Sequence, residues 1–228
     1  MNERTSLILE TAVRDFIETG KPITSERLYD EYQFGIKPAM IRIELGDLSD
    51  AGYFFQTHPS GGRYPTDKAY QFYVDRVREH TEAARAKAPL PTKPRAMAHE
   101  LAAGELQGFV DGVSDYLDAW AVGMQAGELY TSHLSALLER LGVSDAHELV
   151  DIVRDCELLP ERIRASQSMT NAAPQVFIGR SPFTRSEHLS IVAGSLTDGE
   201  FSLFIVGPKR MDYEKSISLF NFFANPER

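Results

Sequence analysis

Cysteine is nearly absent from this 228-residue chain: Cys156 stands alone, which excludes an intrachain disulfide and any cysteine-based metal cluster. Long apolar runs are absent too, and no stretch approaches the roughly 18 residues that a membrane span needs. The opening residues, MNERTSLILE, are charged and lack the apolar core and cleavage site of a signal peptide. The expected location is therefore the cytoplasm, with no membrane partner. An excess of positive charge is also missing. Lys and Arg number 24 against 33 Asp and Glu, a net charge of −9. What remains, 43% hydrophobic and 25% charged residues, is ordinary for a folded protein and excludes disordered and collagenous classes.

The charge is unevenly spread. Residues 1–95 hold 14 basic and 14 acidic side chains, whereas residues 96–228 hold 10 and 19. Within the neutral part, residues 57–95 carry eight basic side chains (Arg63, Lys68, Arg76, Arg78, Arg85, Lys87, Lys93, Arg95) and four acidic ones. That local excess is compatible with phosphate contacts, although its footprint is weak.

Three prolines in Ala-Pro-Leu-Pro-Thr-Lys-Pro-Arg (88–95) remove backbone donors and favour an extended chain. A linker over 88–97 is therefore expected between a domain at 1–87 and another at 98–228. In the first, Ile8, Leu9, Ala12, Val13, Phe16 and Ile17 recur at helical spacing over about 4–19, and Gly20-Lys21-Pro22 ends that helix. Thr24 or Ser25 can cap a second helix whose Leu28 and Tyr32 face inward. Gly35 supplies a turn, and Pro38 opens a third helix with Ile41, Leu45 and Leu48 on its buried stripe, stopped by Gly52. Tyr53–Thr57, a Pro-Ser-Gly-Gly turn and Arg63–Thr66 then read as a β-hairpin. Helix, helix, turn, helix and hairpin in this order describe a winged helix, whose third helix is sized for a major groove. A further helix over about 67–87 follows.

Residues 98–165 read as all-helical. Leu101, Leu106, Phe109, Val113, Leu117 and Trp120 form one stripe, Leu134, Leu137, Leu138 and Leu141 a second, and Leu149, Ile152, Val153 and Cys156 a third. Beyond Pro174 the pattern changes to strands at 176–178, 189–193 and 201–206, with Asp198-Gly199 as a two-residue hairpin signal. A helix capped by Asp212 closes the chain over about 213–223. The fold class is α+β with an antiparallel sheet.

The stretch from His58 to Asp75 is the most specific in the chain. It contains every fixed residue of His-x-Ser-x-Gly-Arg-x-Pro-Thr-Asp-x-x-Tyr-x-Phe-Tyr-Val-Asp, the wing and following helix of the heat-inducible transcription repressor HrcA family. Phe16–Ile23, Ala39-Met40-Ile41-Arg42 and Gly207-Pro208-Lys209-Arg210-Met211-Asp212-Tyr213-Glu214 are similar to the same family. The resemblance implies a truncated GAF-like sheet domain after the winged helix, since the chain is shorter than typical members. It also implies a homodimeric repressor of chaperone operons acting on double-stranded DNA at an inverted-repeat operator, CIRCE, with the chaperonin GroEL as a partner.

The family commonly shows Ala-Thr-Ile-Arg-Asn-Asp in the third helix, where this chain has Ala39-Met40-Ile41-Arg42-Ile43-Glu44. Met40 and Ile43 can offer bases only apolar contact, for example to thymine methyls, or else they pack against protein. Arg42 keeps the fork that pairs with guanine, and Lys37 suits a phosphate. The expected DNA-binding residues are Lys37, Ala39, Met40, Arg42, Ile43, His58, Ser60, Gly62 and Arg63. Gly61 and Gly62 are also what any hairpin with positive φ would require, and Arg63 at the turn tip suits a minor groove or phosphate. Pro65-Thr66-Asp67 reads as a helix cap, and Tyr70, Phe72 and Tyr73 as core.

The six histidines (His58, His80, His99, His133, His147, His188) lack ligand spacing, and no nucleophile elbow, P-loop or dinucleotide fingerprint occurs. Neither a metal, a cofactor nor enzymatic activity is expected. Two other functions fit the same residues: a protein-interaction adaptor using the acidic C-terminal half, and a regulator that senses a small molecule on its C-terminal sheet.

Overall fold

The computed structural model describes residues 1–58, 61–84, 92–143, 145–166 and 173–223. Helices and antiparallel strands are mixed, as the α+β expectation requires. The chain divides into two compact units, Met1–His80 and Thr81–Arg228.

The first unit opens with α1 (Glu3–Thr19), whose start is capped by the Asn2 side chain and whose end is a left-handed Gly20 at φ 65°. Thr24 accepts from the Arg27 N–H and so caps α2 (Ser25–Glu31). Pro38 opens α3 (Pro38–Asp50), where its missing N–H has no intrahelical role. Ile8, Leu9, Ala12, Val13, Leu28, Ile41 and Leu45 are fully buried between these helices. Tyr32 is only half-buried, its hydroxyl donating to Asp15. β1 (Phe54–Gln56) and β2 (Arg63–Pro65) pair antiparallel, and α4 (Asp67–Ala84) buries Tyr70 and Tyr73. The Thr66 hydroxyl bonds the Gly52 and Tyr53 carbonyls, which ties the start of α4 to the end of α3.

The second unit departs from the sequence reading in three places. Residues 92–97, expected in the linker, begin α5 (Thr92–Ala103); residues 88–91 lie outside the described residues. Pro94 is tolerated because it sits in the first turn, where N–H groups have no carbonyl four residues back. The region 98–165 is not all-helical. After α6 (Leu106–Leu117), Asp118 turns left-handed at φ 52° and Trp120 enters β3 (Trp120–Gln125) instead of extending the helical stripe. Ala126 and Gly127, both at positive φ, return the chain into β4 (Glu128–Thr131). The third difference is the Asp198-Gly199 turn, which is four residues long and contains a 3-10 turn over Thr197–Gly199.

Three helices follow the first hairpin: α7 (Ser135–Leu141), α8 (Ala146–Glu157) and α9 (Leu159–Ala165). Then come β5 (Gln175–Ile178), β6 (Leu189–Leu196), β7 (Phe201–Pro208) and α10 (Tyr213–Phe223). The Asp212 carboxylate accepts from the Lys215 N–H and caps the last of these, as expected. The five strands form one antiparallel sheet in the order β4-β3-β7-β6-β5. One face packs Trp120, Val122, Ile191, Phe204 and Val206 against Leu137, Ile152, Cys156, Leu159 and Ile163. The other meets α6 and α10, where Phe109 makes edge contacts with Phe201 and Phe223. With both faces covered, β6 and β7 are buried along their whole length.

Candidate nucleic-acid interface

Helix α3 is held by one face and presents the other. Ile41, Leu45 and Leu48 are buried at helical spacing, together with Glu44. The Glu44 carboxylate accepts from Arg4 Nη2 at 2.6 Å and Nε at 3.0 Å, and from the Thr5 hydroxyl at 2.6 Å. The Thr5 hydrogen bond and the Arg4 guanidinium outweigh burial and hold this carboxyl below its ordinary pKa. The start of α1 is thereby clamped to the middle of α3. On the opposite side Ala39, Met40, Arg42 and Ile43 are exposed, Met40 by 42% and Ile43 by 56%. Of the two readings of Met40 and Ile43, packing against protein is not what this unit shows. Lys37, also exposed, precedes the helix without a side-chain cap bond of its own.

Arg42 reaches back to α2, where its Nη2 lies 2.5 Å from Glu26 Oε1. Both side chains are more than 60% exposed, so the pair contributes little to stability. Its effect is geometric: it draws the guanidinium toward the first turn of α2.

The hairpin is stitched to the segment before α2. Ile23 and Arg63 exchange backbone hydrogen bonds of 2.9 Å in both directions, so the β2 strand is flanked by β1 and by Ile23. This is the reason for Gly62. Neither Gly61 nor Gly62 has positive φ, contrary to the expectation for a hairpin glycine. A Cβ on Gly62 would instead stand 2.4 Å from Pro22 Cβ and 3.2 Å from the Ile23 carbonyl oxygen. The Pro22 ring cannot rotate away. Gly62→Ala is therefore expected to destabilise the first unit by about 1–3 kcal/mol. Trp120 is the only tryptophan of the chain and lies in the second unit. A far-UV circular dichroism loss that precedes an unchanged Trp120 fluorescence transition would verify the assignment; coincident, unshifted transitions would refute it.

Arg63 is not at the turn tip. It lies within β2 opposite Gln56, and its Nε donates to the Ser49 hydroxyl of α3 at 3.0 Å. Burial beside α3 and repulsion by Arg42 lower its pKa from the usual arginine value, though it stays charged at neutral pH. Arg63 thus stands with Arg42 along α3. His58 is exposed, and its carbonyl accepts from the Gly61 N–H to close the turn; Ser60 lies outside the described residues.

The remaining basic side chains of the 57–95 segment are mostly engaged elsewhere. Lys68 donates to the Ala51 carbonyl at the end of α3 and lies over the Tyr53 ring. Arg76 pairs with Glu10 and Glu79, and Arg78 with Asp75. The side chains of Arg85 and Lys87 lie outside the described residues. Besides Arg4 on Glu44 and Lys68 at the helix end, the cations placed at α3 among the described residues are Lys37, Arg42 and Arg63. Sequence reasoning missed Glu26, Ser49, Glu44 and Pro22, which position these residues. Each lies at least 14 positions from its partner, so no local pattern signals it.

Among the described residues no helix is long and apolar enough to cross a membrane. Residues 71–217 match the family described as HrcA protein C terminal domain. Relatives named heat-inducible transcription repressor HrcA include one from Clostridium acetobutylicum, 44% identical over 79 residues, which are 35% of this chain and 23% of that protein. One from Acetivibrio thermocellus is 39% identical over 82 residues, covering 36% and 23%. One from Roseiflexus castenholzii is 34% identical over 100 residues, covering 44% and 26%. The matched segments span about a quarter of these relatives. A crystal structure of a hypothetical protein shares the fold, with a TM-score of 0.73 and 15% identity over 99% of this chain and 96% of that one. The family match extends over more than half of the chain, and this chain belongs to the HrcA family.

Proposed function

We propose that the first unit is a winged helix that binds double-stranded DNA, with α3 in the major groove and the β1–β2 hairpin along the adjacent backbone. The observation that carries this reading is the solvent face of α3. It exposes Ala39, Met40, Arg42 and Ile43 on a helix whose other face is fully packed, with Lys37 and Arg63 at its flanks. Arg42 reads a guanine, Lys37 and Arg63 contact phosphates, and His58, Ser60 and Gly62 carry the hairpin backbone to the DNA. The relatives' name supplies the consequence of binding, which is repression. By the same family resemblance the protein acts as a homodimer on an inverted repeat of the CIRCE type before chaperone operons, with GroEL as the partner that maintains its active state. The second unit, a GAF-like domain in this reading, holds the two copies together.

Affinity for an inverted-repeat duplex, measured at two salt concentrations, tests the reading. DNA binding through a few phosphates requires a fall with salt. The rival adaptor draws support from the balanced charge of residues 1–95 and from the cations paired within the unit, and it would show little affinity at either salt concentration. Arg42→Ala sharpens the test. Its ion pair is exposed, so the fold is expected to persist, while the cognate site should lose about 1–3 kcal/mol and discrimination should relax at one base pair per half-site. Equal weakening on random DNA would make Arg42 a backbone contact instead.

A further inference from the structure

Two large apolar side chains dominate the solvent face of α3. At 100° per residue, Ile43 lies near the middle of that face, with Met40 on one flank and Arg42 on the other. Asp47 and Asp50 continue the same face into the last turns of the helix, and both are exposed. Their carboxylates repel phosphates, which confines close approach to the first two turns, where Met40 and Ile43 sit. Burying an exposed apolar group needs an apolar partner. In the major groove the available one is the methyl group on C5 of a pyrimidine.

We infer that Met40 and Ile43 form a reader of pyrimidine C5-methyl groups, making methyl contact and not hydrogen bonding the main source of base selectivity beside Arg42. This rests on the DNA reading above. The methyl belongs either to thymine or to 5-methylcytosine, which present the same group at the same place. A protein partner fits less well. The patch amounts to two side chains between the cations Lys37 and Arg42, whereas a specific protein interface needs about 800 Å² from each partner. The neighbouring charges suit a polyanion.

The test uses the whole protein and the duplex that it recovers from a random-sequence library. That duplex is remade with 2′-deoxyuridine for thymine, one half-site position at a time, and separately with 5-methylcytosine for cytosine. Removing or adding a contacted methyl changes hydrophobic burial by one carbon and is expected to shift affinity about fourfold. Loss with deoxyuridine assigns the methyl to thymine, and gain with 5-methylcytosine assigns it to that base. The double variant Met40→Ala, Ile43→Ala should bind all versions alike while keeping the parent's salt dependence. Both residues are exposed, so this variant should retain the parental circular dichroism spectrum and sedimentation. Equal affinity of the parent protein for every methyl state would overturn the inference and leave the DNA reading standing. Recovery of no duplex at all would overturn the DNA reading itself. A change of sedimentation in the double variant, with methyl discrimination intact, would assign the patch to a protein contact and so count against the inference.

Discussion

Replacing Asp155 with alanine is expected to lower the unfolding midpoint of the second unit by on the order of 10 °C. Asp155 projects from α8 into the loop before β6, with only 8% of its surface exposed. Its carboxylate accepts from Arg162 Nη1 at 2.6 Å, from the Arg185 N–H at 3.0 Å, from the Ser186 N–H at 3.3 Å and from the Thr184 hydroxyl. One side chain thus satisfies a guanidinium, a hydroxyl and two backbone donors that no regular element pairs. Removing one partner of a buried ion pair costs about 3–5 kcal/mol, because the other charge stays buried without compensation. Arg162 keeps the Phe183 carbonyl at 2.9 Å, which places the expected loss toward the lower end.

The pH dependence follows from the same contacts. Burial raises the Asp155 pKa, but the hydrogen bonds from Thr184 and Arg185 and the charge of Arg162 outweigh it, and the net shift is downward from 3.8. A carboxyl with a depressed folded-state pKa contributes stability above its unfolded value and loses it as pH falls through the folded one. The contribution of Asp155 is therefore complete at neutral pH and fades only below about pH 4. Trp120 shares a core cluster with Cys156 and Ile152, next to Asp155 in sequence or one helical turn from it, so its fluorescence reports this unit directly. An Asp155→Ala protein with an unshifted Trp120 transition at pH 7 would show that the loop is held by other means.

Much of this fold was legible because local chemistry and tertiary packing agree. Thr24, Asp212, Gly20 and Pro38 end or begin helices where their side chains and dihedrals dictate. The strands after Pro174 were visible from their β-branched and aromatic runs. The β3–β4 hairpin was not, because Trp120-Ala-Val-Gly-Met-Gln is covered on both faces and lacks polar alternation. Trp120 therefore reads in sequence as a continuation of the preceding helical stripe. Gly123 carried a hidden signal, since its Cβ would fall 2.3 Å from the Phe201 ring, but only the partner strand reveals it. In the candidate interface the sequence identified the exposed face of α3 and missed what orients it. Glu26 lies 16 residues from Arg42 and Ser49 lies 14 from Arg63, separations set by how three helices pack.

The second large effect concerns a fragment ending at Lys87, for which affinity to an inverted-repeat duplex is expected to fall by about 10²–10⁴-fold. The first unit has its own buried core from Ile8 to Val77, so the fragment should fold. If the second unit joins two copies, as proposed, the fragment lacks the means to bring both to one DNA site. Among the described residues, the cations proposed to reach DNA from a single copy are Lys37, Arg42 and Arg63, too few for tight binding alone. In a dimer the second half-site binds intramolecularly, and that gain disappears when the copies separate. On that proposal, the joining residues are sought outside the core already described. Phe109, Leu117, Trp120, Phe201, Phe204, Phe220, Phe222 and Phe223 are each at most 9% exposed within one chain. Val150 and Leu158, 47% and 45% exposed on and just after α8, are the large apolar side chains left open among the described residues of the second unit. Sedimentation of the whole protein and the fragment, with both affinities measured at the same salt, decides the matter. The expected result is a dimeric parent, a monomeric fragment and the stated loss; a monomeric parent, or a fragment that binds the repeat as tightly as the parent, would place cooperative DNA binding outside the second unit.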